Sequence, residues 1–179
     1  MERTAARGPR PFHLYLDTSG LVKLFLDEPG TDLTRRAVGD AYSVRASELA
    51  YPEARSAIAR LHRENAIGVA AVRTLIGWLD EAWERCAFDP IVPDAEVCRR
   101  AGELAGEHSL RAYDAVQLAS ALHLRANYRP DPAGDIVHFL TFDERLRRAA
   151  GAEERLRVYE PPAQGRKGTD AEGGPGGRP

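Results

Sequence analysis

The stretch Phe12-His13-Leu14-Tyr15-Leu16-Asp17-Thr18-Ser19-Gly20-Leu21-Val22 decides the architecture of the chain. Its first five residues form a short apolar run of the kind that makes a buried strand. From Thr18 to Glu28, apolar residues recur at helical spacing until Pro29-Gly30 ends the pattern. The stretch therefore predicts a strand that passes directly into a helix, with Asp17 at the junction.

The rest of the chain alternates between the same two patterns. We predict further strands over 42–45, 88–92, 136–141 and 156–159, and further helices over 32–38, 47–64, 69–86, 94–108, 111–127 and 143–149. Such alternation predicts an α/β fold with a central, mainly parallel sheet and helices on both of its faces.

Composition limits the class of protein. The 179 residues are 43% hydrophobic and carry a net charge of −2, which is typical of a globular domain. No apolar run reaches the roughly 18 residues of a membrane span, and the N-terminus lacks the apolar core of a secretory signal, so we expect a cytoplasmic protein. The two cysteines, Cys86 and Cys98, form no CxxC motif, which indicates neither a disulfide framework nor a zinc site.

One domain is expected between two flexible ends. Gly and Pro make up ten of the nineteen residues in 161–179, so this segment is predicted to be a disordered tail. Residues 1–10 are predicted to be a flexible N-terminal extension. The body, 11–160, shows no internal repeat and is of a size at which one core is expected. Because both ends are net positive, this body is more acidic than the whole chain, which disfavours phosphate binding unless cations are bound.

Carboxylates stand where an open parallel sheet has its functional crevice, at the carboxyl ends of the strands. Asp17 and Asp143 each end a predicted strand and open a helix, so helix capping is the alternative role for both. Asp114 is the sole acid of the helix predicted over 111–127, which otherwise consists mainly of small and apolar residues. There it needs a partner or a cation, or else complements the helix dipole. Glu48 and Glu53 compete as a fourth acid, and a solvated helix face is the alternative for either.

Other catalytic signatures are missing from the sequence. It contains no Walker loop, GxGxxG, HExxH or nucleophile elbow, and its five histidines are scattered. Oxygen ligands without histidine or thiolate suit a hard cation such as Mg²⁺ or Mn²⁺. Such a cation would relieve the repulsion between clustered carboxylates and supply the positive charge that an acidic body lacks for phosphate.

From residue 14 to 159 the chain resembles the PIN-domain ribonucleases, and more closely the VapC toxins of bacterial toxin–antitoxin pairs. Four segments carry the resemblance in order, 16–23, 52–57, 110–119 and 140–143. The resemblance implies a PIN-like fold in which a catalytic quartet holds Mg²⁺ or Mn²⁺, namely Asp17, Glu53, Asp114 and Asp143. Glu53 is preferred to Glu48 because the Glu-x-Arg-Ser-Ala context falls on it. Ser19 and Thr141 are implied as supporting hydroxyls.

Three features depart from the family pattern. Gln117 stands where a histidine is common, and residues 127–135 lengthen the approach to the last motif. Pro52 directly precedes Glu53, which raises the alternative of a kinked helix and a displaced glutamate.

The resemblance implies a metal-dependent endoribonuclease. Its products would carry a 5′-phosphate and a 3′-hydroxyl, its target would be a structured RNA such as tRNA or rRNA, and it would form a homodimer bound by a VapB-like antitoxin. Arg55 and Arg111, close in sequence to the acids, are predicted phosphate contacts, with surface salt bridges as the alternative.

Two other functions stay open at this point. An aspartyl-phosphate phosphatase would use Asp17 as nucleophile, although Ser19 stands where its second aspartate would be. A non-catalytic RNA- or protein-binding module would use the acids as helix caps.

Overall fold

The computed structural model describes residues 12–85, 87–127 and 136–160. The predicted N-terminal extension, the predicted C-terminal tail, Cys86 and residues 128–135 of the lengthened approach lie outside the described residues.

The centre of the fold is a four-stranded parallel sheet in the order β2-β1-β3-β4. Its strands are β1 (Phe12–Leu16), β2 (Ser43–Arg45), β3 (Ile136–Leu140) and β4 (Arg157–Val158). The chain goes to one side of β1 to form β2 and to the other side to form β3. The switch point of the sheet therefore lies where β1 and β3 end side by side, with Leu16 paired to Leu140.

Seven helices are found in the described ranges. They are α1 (Thr18–Val22), α2 (Thr31–Asp40), α3 (Ala50–Arg63), α4 (Val69–Glu84), α5 (Ala95–His108), α6 (Ala112–Asn127) and α7 (Glu144–Ala152). None of these helices is long and apolar enough to cross a membrane.

Both faces of the sheet are covered, as predicted. Successive side chains of a strand point to opposite faces. Leu14 and Leu16 accordingly enter a core shared with α1 to α4, whereas Tyr15 enters a second core shared with α5, α6 and α7. The α/β fold with helices on both faces is thus confirmed.

The helix predicted from 18 to 28 ends early, at Val22. The N–H groups of Leu24 and Phe25 bond to carbonyls three residues back, which makes tight turns rather than α-helix. Likewise, the helix predicted from residue 47 begins at Ala50. Ser47 is instead part of an isolated parallel bridge to Ile91.

The strand predicted over 88–92 is wrong. Only Ile91 pairs in this segment, through its bridge to Ser47. Asp89 has a left-handed backbone with a φ of 38°, and Pro90 has no N–H to give to a ladder. The apolar residues of the segment therefore reach the core from a loop, and Phe88 is buried there.

Candidate active site

The four predicted acids line a single cleft of about 600 Å³. Asp17 directly follows β1, and Asp143 follows β3 by three residues. Glu53 and Asp114 come from the first turns of α3 and α6. The cleft thus opens at the switch point of the sheet, where the fold predicts a functional crevice.

Three donors hold the Asp17 carboxylate. The Gly20 N–H lies 2.8 Å from its Oδ1, the Ser19 hydroxyl donates to it at 2.8 Å, and the Thr141 hydroxyl donates to Oδ2 at 2.7 Å. Thus both hydroxyls that the sequence predicts as supporting groups contact the same carboxylate.

Backbone N–H groups orient those two hydroxyls. Ser19 Oγ accepts from the Phe142 N–H at 2.8 Å, and Thr141 Oγ1 accepts from the Asp143 N–H at 3.1 Å. Each hydroxyl can then point its own proton at Asp17. The end of β3 therefore helps to fix the carboxylate that ends β1.

The Asp17 carboxyl is 4% exposed, and its burial raises its pKa to about 6. The hydrogen bonds from Gly20, Thr141 and Ser19 favour the ionised form, but they do not offset the burial, and the charge of Glu53 raises the pKa further. A nearby cation would favour the ionised form of Asp17, which burial and the charge of Glu53 disfavour.

Burial also raises the pKa of Asp114, and the charge of Asp143 raises it further. Arg111 and Arg145 are close enough to lower it in part. Like charges therefore oppose each other in two pairs within this cleft, Asp17 with Glu53 and Asp114 with Asp143.

Gln117 links Glu53 to the sheet. Its Nε2 donates to Glu53 Oε2 at 2.8 Å and to the Thr18 hydroxyl at 3.0 Å, and Thr18 donates to the same glutamate oxygen. The buried Tyr15 hydroxyl donates to Gln117 Oε1 at 2.8 Å, which fixes the orientation of the amide. Gln117 is 2% exposed, so the linkage lies inside the protein.

Of the two competing glutamates, the structure places Glu53 in the cleft. Glu48 is exposed and is not among the residues that line it. Pro52 lies in the first turn of α3, where N–H groups have no partner within the helix, and α3 runs without interruption to Arg63. The proline therefore leaves Glu53 in place.

Two of these acids also cap helices. Asp17 caps α1 through the Gly20 N–H, and Asp143 caps α7 by accepting from the Leu146 N–H at 2.8 Å. Both carboxylates still line the cleft.

The predicted phosphate contact Arg55 is not among the residues that line the cleft. Its Nη1 lies 2.9 Å from Asp80 and 2.7 Å from the Tyr51 hydroxyl, so the salt-bridge alternative describes it. Arg111 is exposed near Asp114 and is also not part of the lining.

Two cations that the sequence reasoning missed line the cleft, Lys23 and Arg60. Arg60 follows Glu53 by seven residues, which is about two turns, so both side chains share one face of α3. This spacing is a signal that was available in the sequence.

The donor set of the cleft fits a hard divalent cation. None of the described residues that line it is His or Cys, and carboxylate and hydroxyl oxygens are the ligands that Mg²⁺ and Mn²⁺ prefer. No three of the four acids have oxygens all within 4.8 Å of one another. Repulsion between carboxylates opposes closer spacing, and a divalent cation offsets that repulsion.

Elsewhere in the described ranges, potential ligand atoms of Glu107, His108 and Glu153 do lie within 4.8 Å of one another. The Arg100 guanidinium is 3.2 Å from Glu107 and 3.7 Å from Glu153. Because Arg100 already supplies positive charge, this group is an ion-pair network.

The structure is thus an α/β protein with four carboxylates in a cleft at the switch point of a parallel sheet. The family model of the PIN domain matches residues 14–152, and the chain belongs to this family. The resemblance drawn from the four acidic segments is thereby confirmed.

Two proteins named as ribonucleases are similar in sequence to this chain. The chain is 36% identical over 109 residues to Ribonuclease VapC45 of Mycobacterium tuberculosis (strain CDC 1551 / Oshkosh). It matches Ribonuclease VapC49 of M. tuberculosis (strain ATCC 25618 / H37Rv) to the same extent. Each alignment covers 61% of this chain and 74% of the relative.

A solved structure shares the fold. The crystal structure of FitAcB from Neisseria gonorrhoeae superposes with a TM-score of 0.56 and 16% identity, covering 82% of this chain and 96% of that one.

Proposed function

We propose that this protein is a metal-dependent endoribonuclease, the toxin of a toxin–antitoxin pair, that hydrolyses RNA phosphodiester bonds. The observation that carries the proposal is the convergence of four carboxylates from separate elements in one cleft at the sheet's switch point. The relatives named Ribonuclease VapC support RNA as the substrate class.

In this proposal the four carboxylates hold Mg²⁺ or Mn²⁺. A bound divalent cation would supply the positive charge that activates a water and offsets charge developing on the phosphate. The chain itself fixes the ligands before substrate arrives. Ser19 and Thr141 hold Asp17, while Gln117 and Thr18 hold Glu53.

The associations of the protein are proposed on the strength of its family resemblance. We expect a structured RNA such as tRNA or rRNA as target, a VapB-like antitoxin as partner, a homodimer, and a cytoplasmic place of action. Light scattering tests the dimer, because a monomer at every concentration would contradict it.

The function is tested by incubating purified protein with an end-labelled RNA pool in Mg²⁺, Mn²⁺ or EDTA. We expect cleavage in either metal, none in EDTA, and products with a 5′-phosphate and a 3′-hydroxyl. Asp114→Asn removes a cleft carboxylate and should abolish cleavage. Asp94→Asn, at the exposed N-cap of α5, is the matched control and should cleave like the wild type.

The same purified protein distinguishes the ribonuclease from the two other functions, a binding module and a phosphatase. A binding module whose acids only cap helices would show no Mn²⁺-dependent rise in melting temperature. A phosphatase would release phosphate from a phosphomonoester and leave the RNA uncut.

A further inference from the structure

The cleft extends beyond the carboxylates along α3. On this helix Arg60 lies about 10.5 Å further along the axis than Glu53, and both residues line the cleft. Residues of the segment that follows Asp17 also line this part of the cleft. We call this part the α3 trough, and its residues are Val22, Leu26, Ser56, Ala57, Arg60 and Leu61.

Of the two described cations that line the cleft, Arg60 is the one without an ion pair to another described residue. Lys23 is already engaged, with its Nζ 2.8 Å from Glu28 and 4.6 Å from the centre of the Phe142 ring. Arg60 forms no ion pair or side-chain hydrogen bond with any residue of the described ranges. It is also exposed, so an anion can reach it from solvent.

The chemistry of the trough fits a strand of nucleic acid. A guanidinium binds phosphate through paired N–H donors, and the apolar walls suit the faces of a base and a ribose. A strand whose scissile phosphate lies at the carboxylates can leave the cleft along this trough. An acidic peptide would also bind Arg60, but continuity with the carboxylates favours the substrate strand.

We propose that the α3 trough is a second substrate subsite, in which Arg60 binds an RNA phosphate that flanks the scissile one. Val22, Leu26 and Leu61 contact the nucleotide between the two phosphates. This inference rests on the proposed function and adds the path that the substrate takes.

The first test measures binding of a fluorescent random-sequence RNA pool to protein carrying Asp114→Asn, which is expected not to cut. Adding Arg60→Ala should weaken binding about tenfold. The plot of log affinity against log salt has a negative slope, and its magnitude should fall by about 0.7, the value for one phosphate contact to a single strand. Arg63→Ala is the matched control, because Arg63 is exposed on the same helix but is not part of the cleft lining.

The second test uses active protein and the strand that it cleaves fastest. Arg60→Ala should raise KM about tenfold and leave kcat within about twofold, since the contact lies away from the reacting bond. An uncharged methylphosphonate placed at each flanking position in turn should reproduce the loss at one position. At that position Arg60→Ala should add nothing further.

Unchanged KM and unchanged salt slope in Arg60→Ala would overturn the subsite while the ribonuclease function stood. So would weaker binding of a poly-glutamate peptide with unchanged RNA binding, which would make the trough a protein site. A wild-type protein that neither binds nor cuts RNA would instead count against the proposed function itself.

A separate observation, the hydrogen bonds of Gln117, assigns this residue the role of positioning Glu53. Its Nε2 donates to Glu53 and to Thr18, which itself donates to Glu53. The Tyr15 hydroxyl donates to Oε1 and so prevents the amide from rotating by 180°. The described residues donate to Oε2 of Glu53 only, so Oε1 stays available for a cation. This role also rests on the proposed function.

A double-mutant cycle tests the role through Mn²⁺ affinity, measured by calorimetry. Gln117→Met has no donor and should weaken Mn²⁺ binding about tenfold, as loss of an outer-shell partner does. In a Glu53→Gln background the same change should have no further effect. Gln117→Leu also lacks a donor, adds no charge, and serves as a second variant if Gln117→Met does not fold. Equal losses in both backgrounds, or no loss in either, would overturn the role.

Discussion

Asp17→Asn is expected to stabilise the metal-free protein at pH 8. Burial raises the pKa of Asp17 from its ordinary value of 3.8 to about 6. The folded state therefore holds more protons than the unfolded chain between these values, and the free energy of unfolding falls as pH rises through this window. At about 1.4 kcal/mol per pKa unit, the loss above pH 6 amounts to about 3 kcal/mol.

Asparagine removes this charge and keeps most contacts. Its Oδ1 can still accept the Gly20 N–H, and the Ser19 and Thr141 hydroxyls can rotate to meet the amide. Because hydrogen bonds to a charged group are the stronger ones, the net gain should be about 1–3 kcal/mol. For a domain of this size that gain corresponds to a melting temperature roughly 3–10 °C higher.

The assay is thermal melting in EDTA at pH 8 and pH 4. The gain should be present at pH 8 and close to zero at pH 4, where the Asp17 carboxyl is protonated in the folded state. Asp94→Asn is the matched control, because hydrogen bonds from the Val97 and Glu96 N–H groups lower the pKa of Asp94. This substitution should not raise the melting temperature at pH 8. A lower or unchanged melting temperature for Asp17→Asn at pH 8 would contradict a destabilising charge at Asp17, as would a gain equal at both pH values.

Two further predictions concern the same region. Mn²⁺ should raise the melting temperature at pH 8, with an increment that shrinks below about pH 6 because Asp17 must lose its proton to bind a cation; equal increments at pH 5 and pH 8 would contradict this. Gly30→Ala should cost more than about 1 kcal/mol in urea unfolding, since Gly30 has a φ of 102° and a Cβ there would lie 2.4 Å from the Phe142 ring. Gly39→Ala in α2 meets no atom within 4 Å and should be neutral or stabilising, so equal midpoints for the two variants would argue against strain at Gly30.

The fold was largely predictable because its strands and helices follow their hydrophobic periods. β1 was predicted to the residue, and the order of strands and helices indicated a parallel sheet. The failures come from apolar residues that reach the core from irregular backbone. Phe88 is buried from a loop, and Leu24 and Phe25 pack from tight turns, so their apolar spacing mimicked a strand and a longer helix.

The predicted sheet brings Asp17 and Asp143 to one crevice, and the family resemblance adds Glu53 and Asp114. Apart from the two supporting hydroxyls, neither predicts the other groups around these acids. Closeness to Glu53 in sequence predicts Arg55 as a phosphate contact, but residues two apart on a helix do not face each other. Arg60, seven residues on, shares the face of Glu53. Tyr15 and Gln117 are 102 positions apart in the sequence, and Gln117 and Glu53 are 64 positions apart. No local sequence pattern reveals hydrogen bonds between residues so distant.

Whether the carboxylate cleft cleaves RNA with a bound cation is tested by the cleavage rate as a function of Mn²⁺ concentration, for wild type and Asp114→Asn. We expect a rate that rises to saturation with Mn²⁺ and vanishes in EDTA. Asp114→Asn should be at least about a hundredfold slower, because even an outer-shell change at a metal site costs roughly 10–100-fold. Cleavage that persists in EDTA, or an Asp114→Asn protein that cuts at the wild-type rate, would contradict this expectation.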